Sequence, residues 1–93
     1  MIERQADRLR VAAPMVMANA RGLLDAGRSA FKETRETVDL GAVTDIDSSA
    51  VAVLLAWLRM AEGAGITLSF ANAPAAVRSL ADLYGVTELL PLV

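Results

Sequence analysis

A single small α/β domain, with a mixed sheet and helices serving as crossovers, is the fold class predicted by three features of the sequence. Stretches with strand-like alternation and stretches with helical spacing succeed one another along the chain. Ile66-Thr-Leu-Ser-Phe70 alternates apolar and polar residues cleanly, and an unusually apolar helix, opened by Asp47-Ser48-Ser49, occupies the middle. The order strand, helix, strand, helix, strand, helix makes the helices connect neighbouring strands, which favours parallel or mixed pairing. A chain of 93 residues has the length of one domain with one core, so the domain is expected to span residues 1–93, without linker, repeat or low-complexity tract.

Each element has its own local reason. Leu9 and Val11 alternate with Arg8 and Arg10, which predicts a strand over Arg8–Ala12 that Pro14 limits, as the single initial strand. Ala20, Leu23, Leu24 and Phe31 stand at helical spacing and predict a helix over 19–31, although Gly22 and Gly27 each lower helix propensity by about 1 kcal/mol. Thr37, Val38, Leu40 and Val43 read as a second strand before the turn residues Thr44-Asp45. The central helix follows and stops at Gly63-Ala-Gly65; the strand over 66–70 comes next. Asn72-Ala-Pro74 opens a last helix, with Val77, Leu80, Ala81 and Tyr84 as its inner face and Gly85 as its end. Leu89, Leu90, Leu92 and Val93 are expected to lie back on the core as a short strand or tail.

Composition narrows function. The chain is 55% hydrophobic with a formal net charge of −2 and a mean hydropathy of +0.44, high for so small a domain and suggestive of an apolar partner surface. Nine Lys and Arg residues are spread without a run, which argues against nucleic acid as a partner. There is no cysteine, which excludes disulfides, thiolate metal sites and cysteine nucleophiles, and no histidine, which removes the usual general base and the commonest metal ligand. The first ten residues contain no signal-like apolar run, and no uncharged stretch approaches the ~18 residues of a membrane span. A cytoplasmic protein without direct membrane insertion is expected.

In the central helix, at about 100° per residue, Leu54, Leu55 and Leu58 fall near Val51 and make one apolar stripe. Ser49, Val53, Ala56, Trp57 and Met60 gather on the other side, where a solvated helix carries charge. Another layer of the same chain is one explanation for that second face. Because a short chain has little to spare for cover, the expectation is instead a partner-binding face of Ser49, Val53, Ala56, Trp57 and Met60, centred on Trp57, with self-association of the isolated domain as a corollary. Asp47 is the expected N-cap with Ser48 in the first turn, and Ser49 opens the apolar face. A phosphate on Ser49 would be favoured by the helix N-terminus yet would put a charge of nearly −2 beside a docking surface, which makes Ser49 a candidate phosphoacceptor or switch.

Asp47-Ser48-Ser49-Ala50-Val51, placed after a strand and before a Leu-rich helix, resembles the D-S-S-G-L signature of STAS domains, with Ala50 where the signature has glycine. The likeness extends from about Arg8 to Pro91 and includes Asn72-Ala-Pro74, Val77-Arg78-Ser79-Leu80 and Leu83-Tyr84-Gly85. In the anti-sigma factor antagonist branch the resemblance makes Ser49 the position of the phosphorylated serine. The small size and the closing Leu-Tyr-Gly-Val-Thr-Glu-Leu-Leu-Pro are most similar to the stand-alone STAS subunits of bacterial Mla phospholipid transporters. That resemblance implies a STAS-like mixed sheet and a non-catalytic subunit that binds and supports the ATPase of an inner-membrane ABC complex acting in lipid asymmetry. An anti-sigma factor antagonist switched by serine phosphorylation is the alternative.

Enzyme readings have less support. Asp39, Asp45 and Asp47 near a strand end suggest turn and cap residues rather than a metal pocket. Ser48 and Ser49 lack a histidine partner, and no G-x-x-x-x-G-K-[ST] loop is present. Neither a cofactor nor a metal is expected.

Overall fold

A computed structural model describes residues 1–93. Strands β1 (Ile2–Gln5) and β2 (Arg8–Val11) form a hairpin, and a 3₁₀ turn (Met17–Asn19) leads into α1 (Ala20–Ala30). β3 (Arg35–Asp39), α2 (Ser49–Gly63), β4 (Thr67–Ala71) and α3 (Ala75–Leu83) follow, and a second 3₁₀ turn (Thr87–Leu89) precedes the tail. The sheet order is β1-β2-β3-β4, antiparallel at the hairpin and parallel thereafter. The tail adds a one-residue parallel bridge beyond β4, in which Phe70 N–H donates to Pro91 O (2.9 Å) and Val93 N–H to Phe70 O (2.8 Å).

The parallel strands are added in sequence order, so crossovers of the usual hand place α1 and α2 on the same face of the sheet. Burial alternates accordingly: Leu9, Val11, Glu36, Val38, Leu68 and Phe70 are buried, while Arg8, Arg10, Thr37, Asp39 and Ser69 between them are half-exposed. The open face carries polar cross-strand pairs, among them Arg10–Glu3 (2.9 Å), Arg8–Asp39 (3.4 Å) and Thr37–Ser69 (3.3 Å). The domain is thus two-layered, with one core between helices and sheet.

The first strand departs from expectation. Ile2–Gln5 pairs with β2 in the register Ile2↔Val11 and Gln5↔Arg8, so two strands stand where one was predicted. An edge strand with solvent beside it carries few apolar residues, and I-E-R-Q shows no apolar alternation. Its two-residue turn places Ala6 at φ 54°, a conformation that favours glycine.

Arg4, on the core side of β1, explains the only buried charge. Glu36 is 2% exposed. It accepts a forked pair from Arg4 (both 2.9 Å) and, through Oε2, the amides of Lys32 and Glu33 (both 3.0 Å). One carboxylate therefore closes the turn between α1 and β3 and ties it to the hairpin. The Arg4 hydrogen bond, reinforced by the two amides, outweighs desolvation and lowers the Glu36 pKa to about 2.

α2 lies between α1 and α3 and touches β4. Its buried residues are Ala50, Val51, Val53, Leu54, Trp57 and Ala61. The expected frame was turned by about a quarter of a circle, since Leu55 and Leu58 are only partly buried while Val53 and Trp57 are core. Trp57 is fully buried, its Nε1–H donates to Leu23 O at 3.0 Å, and Phe31 meets it edge-on with ring centroids 5.8 Å apart. This corrects the partner-face expectation for Trp57 and Val53: α1 supplies the cover. Gly27 makes that cover possible, because a Cβ there would come within 2.6 Å of the indole Cδ1.

The stops of α2 and α3 use glycine as expected. Gly65 (φ 73°) and Gly85 (φ 69°) each sit at the left-handed position of a Schellman motif, with Ile66 N–H donating to Ala61 O (2.8 Å) and Val86 N–H to Ala81 O (2.9 Å). Tyr84, expected on the inner face of α3, is 53% exposed, because it falls at the C-cap, where the helix has already left the core.

Trp57→Glu should unfold the domain, and Gly27→Ala should destabilise it by about 1–3 kcal/mol through overpacking on the indole. A denaturant melt followed by fluorescence of the single tryptophan measures the Gly27 variant, and native stability in either protein would contradict the seam described.

Glu36→Ala should cost roughly 2 kcal/mol or more by stranding the Lys32 and Glu33 amides. Because the Glu36 pKa is lower in the folded chain than in the unfolded one, its contribution is complete above the ordinary glutamate value of 4.5 and is lost as pH falls toward about 2. The stability gap between wild type and Glu36→Gln should therefore narrow across that interval in melts at stepped pH.

Candidate functional site: the Asp47–Ser49 turn

The parallel strands end at a common edge, where the loops after β2, β3 and β4 meet. Asp39, the last residue of β3, accepts from Gly41 N–H (2.8 Å), Asn72 Nδ2 (3.2 Å) and Arg8 (3.4 Å), and so joins the loop before α2 to the loop before α3. The Gly41 amide bond is the first cause of its lowered pKa, with Asn72 and Arg8 adding to it against desolvation. The loop after β2 pairs with the segment before α2 through the Met15↔Ile46 bridge, with Met15 N–H on Asp45 O (2.9 Å) and Asp47 N–H on Met15 O (3.1 Å).

Asp47 sits at the centre of this edge. Its Oδ1 accepts from the Ser49 amide (2.9 Å) and the Ser49 hydroxyl, and its Oδ2 accepts from the Met17 amide (2.9 Å). The bond to Ser49 N–H is side-chain capping of the first turn of α2, and the Ala50 amide completes that turn on Asp47 O at 3.0 Å. Regular helix begins at Ser49, and Ser48, at the boundary, is exposed and makes no side-chain cap bond. The Ser49 hydroxyl, then the Met17 and Ser49 amides, hold the Asp47 carboxyl below the usual carboxylate range. A carboxylate so stabilised is a weaker base than a free one.

Ser49 is half-buried at the surface. Beside it, the exposed side of α2 runs through Ala52, Ala56 and Arg59, and across the Asp47 carboxylate lies the backbone amide of Met17, a residue that is 72% exposed. Of the residues predicted as a partner face, Ser49 and Ala56 remain accessible, Met60 packs against the core edge, and Val53 and Trp57 are interior. Ala50, in place of a glycine, is a fully buried helical residue and strains nothing. Met17 and Ala52 were not predicted. A methionine in a proline-flanked loop carries no periodic signal, and Ala52 was lost with the quarter-turn error in the helix frame.

The fold has counterparts among solved structures. The fold is similar to that of the anti-sigma factor antagonist SpoIIAA in its unphosphorylated form, at a TM-score of 0.73 and 15% identity over 100% of this chain and 86% of that one. It is similar to the protein TM1081 at a TM-score of 0.76 and 14% identity, over 99% of this chain and 78% of that one. A variant of RsbS from Moorella thermoacetica matches at a TM-score of 0.68 and 16% identity, over 100% of this chain and 84% of that one. At these identities the likeness is one of fold, and the fold is that of STAS domains. The family model described as "Mlab, STAS domain" matches residues 1–91, and the chain belongs to that family. Comparison with curated protein sequences finds no match.

Asp47→Ala should lower the melting temperature while leaving the fold intact, since it removes a cap from an exposed turn. Because the Asp47 pKa is lower in the folded state, the difference from wild type should be fully present above the ordinary carboxylate range and fade as pH drops through it. Thermal melts at neutral and acidic pH test this, and a pH-independent difference would contradict the capping role.

Proposed function

We propose that this chain is a non-catalytic docking subunit that binds and supports the ATPase of a bacterial inner-membrane phospholipid ABC transporter, acting in lipid asymmetry. The match of the Mlab STAS family model over residues 1–91 carries the reading. The surface offered to the ATPase is the Asp47–Ser49 turn with the exposed side of α2. In this reading the chain lies on the cytoplasmic side of the inner membrane and is held there by the ATPase; no helix is long and apolar enough to cross a membrane. Small residues at Ala52 and Ala56 let a partner approach the α2 backbone closely, Met17 provides an adaptable apolar contact, and Ser49 lies where added charge opposes docking.

Affinity purification of the full chain from native cells, read by mass spectrometry, should recover an ABC ATPase. Recovery of a serine-kinase anti-sigma factor instead would assign the chain as an anti-sigma factor antagonist and sink the transporter reading. With the ATPase in hand, Ala56→Glu should reduce affinity about tenfold or more by burying an unpaired charge, at unchanged thermal stability. Native affinity in that variant would place the docking surface elsewhere.

A further inference from the structure

We infer that Asp47 is a positioning residue that couples the state of Ser49 to the tethering of Met17, so that negative charge at Ser49 releases the Met17 amide. The consequence for a partner rests on the docking reading above; the coupling is a property of the chain itself. One carboxylate holds both residues, Ser49 through Oδ1 and the Met17 amide through Oδ2. A carboxylate is a rigid plane, and it cannot turn away from Ser49 without also leaving Met17. Among the ties of this loop, the Met17 carbonyl accepts from Ala20 N–H, and it is the Met17 amide that depends on Asp47. Met15 is pinned by backbone bonds to Asp45 and Asp47, and Asn19 bonds back within the loop to Val16 O and Pro14 O. Met17 is the first residue of the 3₁₀ turn leading into α1, so Asp47 caps two helical starts at once.

The two residues therefore report one event. With a neutral Ser49, the carboxylate bridges the turn and the loop, and the Met17 backbone is held next to the start of α2. With an anion at Ser49, two negative groups would lie at hydrogen-bond distance, and the repulsion displaces Asp47 or forces it to take a proton. Displacement frees the Met17 amide, and protonation weakens its bond. Removal of the hydroxyl alone does neither.

The experiment follows the Met17 amide by NMR exchange and chemical shift in the full chain, with Trp57 fluorescence as the control for folding. Ser49→Ala should leave the amide as in wild type, whereas Ser49→Glu and Asp47→Ala should each speed its exchange by about tenfold through local opening. In the double variant, Ser49→Glu should add nothing to Asp47→Ala, because the bond it acts through is gone; a purely local effect of either substitution would add. Protection retained in Ser49→Glu, or additive effects in the double variant, would overturn the coupling. The partner arm is separate: Met17→Ser should weaken binding of the recovered ABC ATPase about tenfold. Unchanged binding beside an intact exchange result would support the coupling while removing Met17 from the docking surface.

Discussion

The closeness of α1 to α2 governs the structure. The Trp57 indole packs directly onto the α1 backbone, and Gly27 leaves the space that a Cβ there would fill. Leu23 O then meets the indole N–H, which would otherwise be a buried donor without a partner, and Phe31 closes the seam edge-on. With Trp57 inside, α2 is covered by α1 on one flank, by α3 on the other and by the sheet beneath. Only a narrow side is left free, and that side carries Ala52, Ala56 and Arg59.

The position of α2 in turn sets the serine turn. A helix buried over most of its circumference has little freedom to rotate or slide, so its first turn projects from the sheet edge in a defined orientation. Asp47 uses that rigidity, capping α2 on one side and holding the loop before α1 on the other. Asp39 makes a comparable link from the end of β3 to Asn72. Two carboxylates thus hold the three loops of this edge together, and both sit at helix starts or strand ends where backbone amides point outward.

At the opposite end, Arg4 and Glu36 tie the hairpin to the turn after α1. A buried carboxylate on the apolar face of a strand would be costly alone; with a forked guanidinium and two amides it becomes the anchor of the edge. Its position was legible in outline. Glu36 shares the alternation of Val38 and Leu40, so that β3 read strictly by period demands a partner for a charge on the core side. Which arginine answers it was not legible, because Arg4 and Glu36 are brought together only by the pairing of the strands.

Local chemistry in the sequence determined the succession of strands and helices after Arg8, the glycine stops at Gly65 and Gly85, the cap at Asp47 and the STAS resemblance, since each depends on neighbours a few residues apart. The hairpin strand Ile2–Gln5 escaped, because an edge strand needs no apolar alternation to pair. The facing of α2 was decided only by tertiary structure. Periodicity shows that a helix has two apolar sides, but whether the second is covered from within or from without depends on a residue thirty positions away, Gly27, being small enough to let α1 approach. The same holds for Met17: its place beside Ser49 arises from a carboxylate that bridges two loops, and such a bridge leaves no mark on the spacing of residues along the chain.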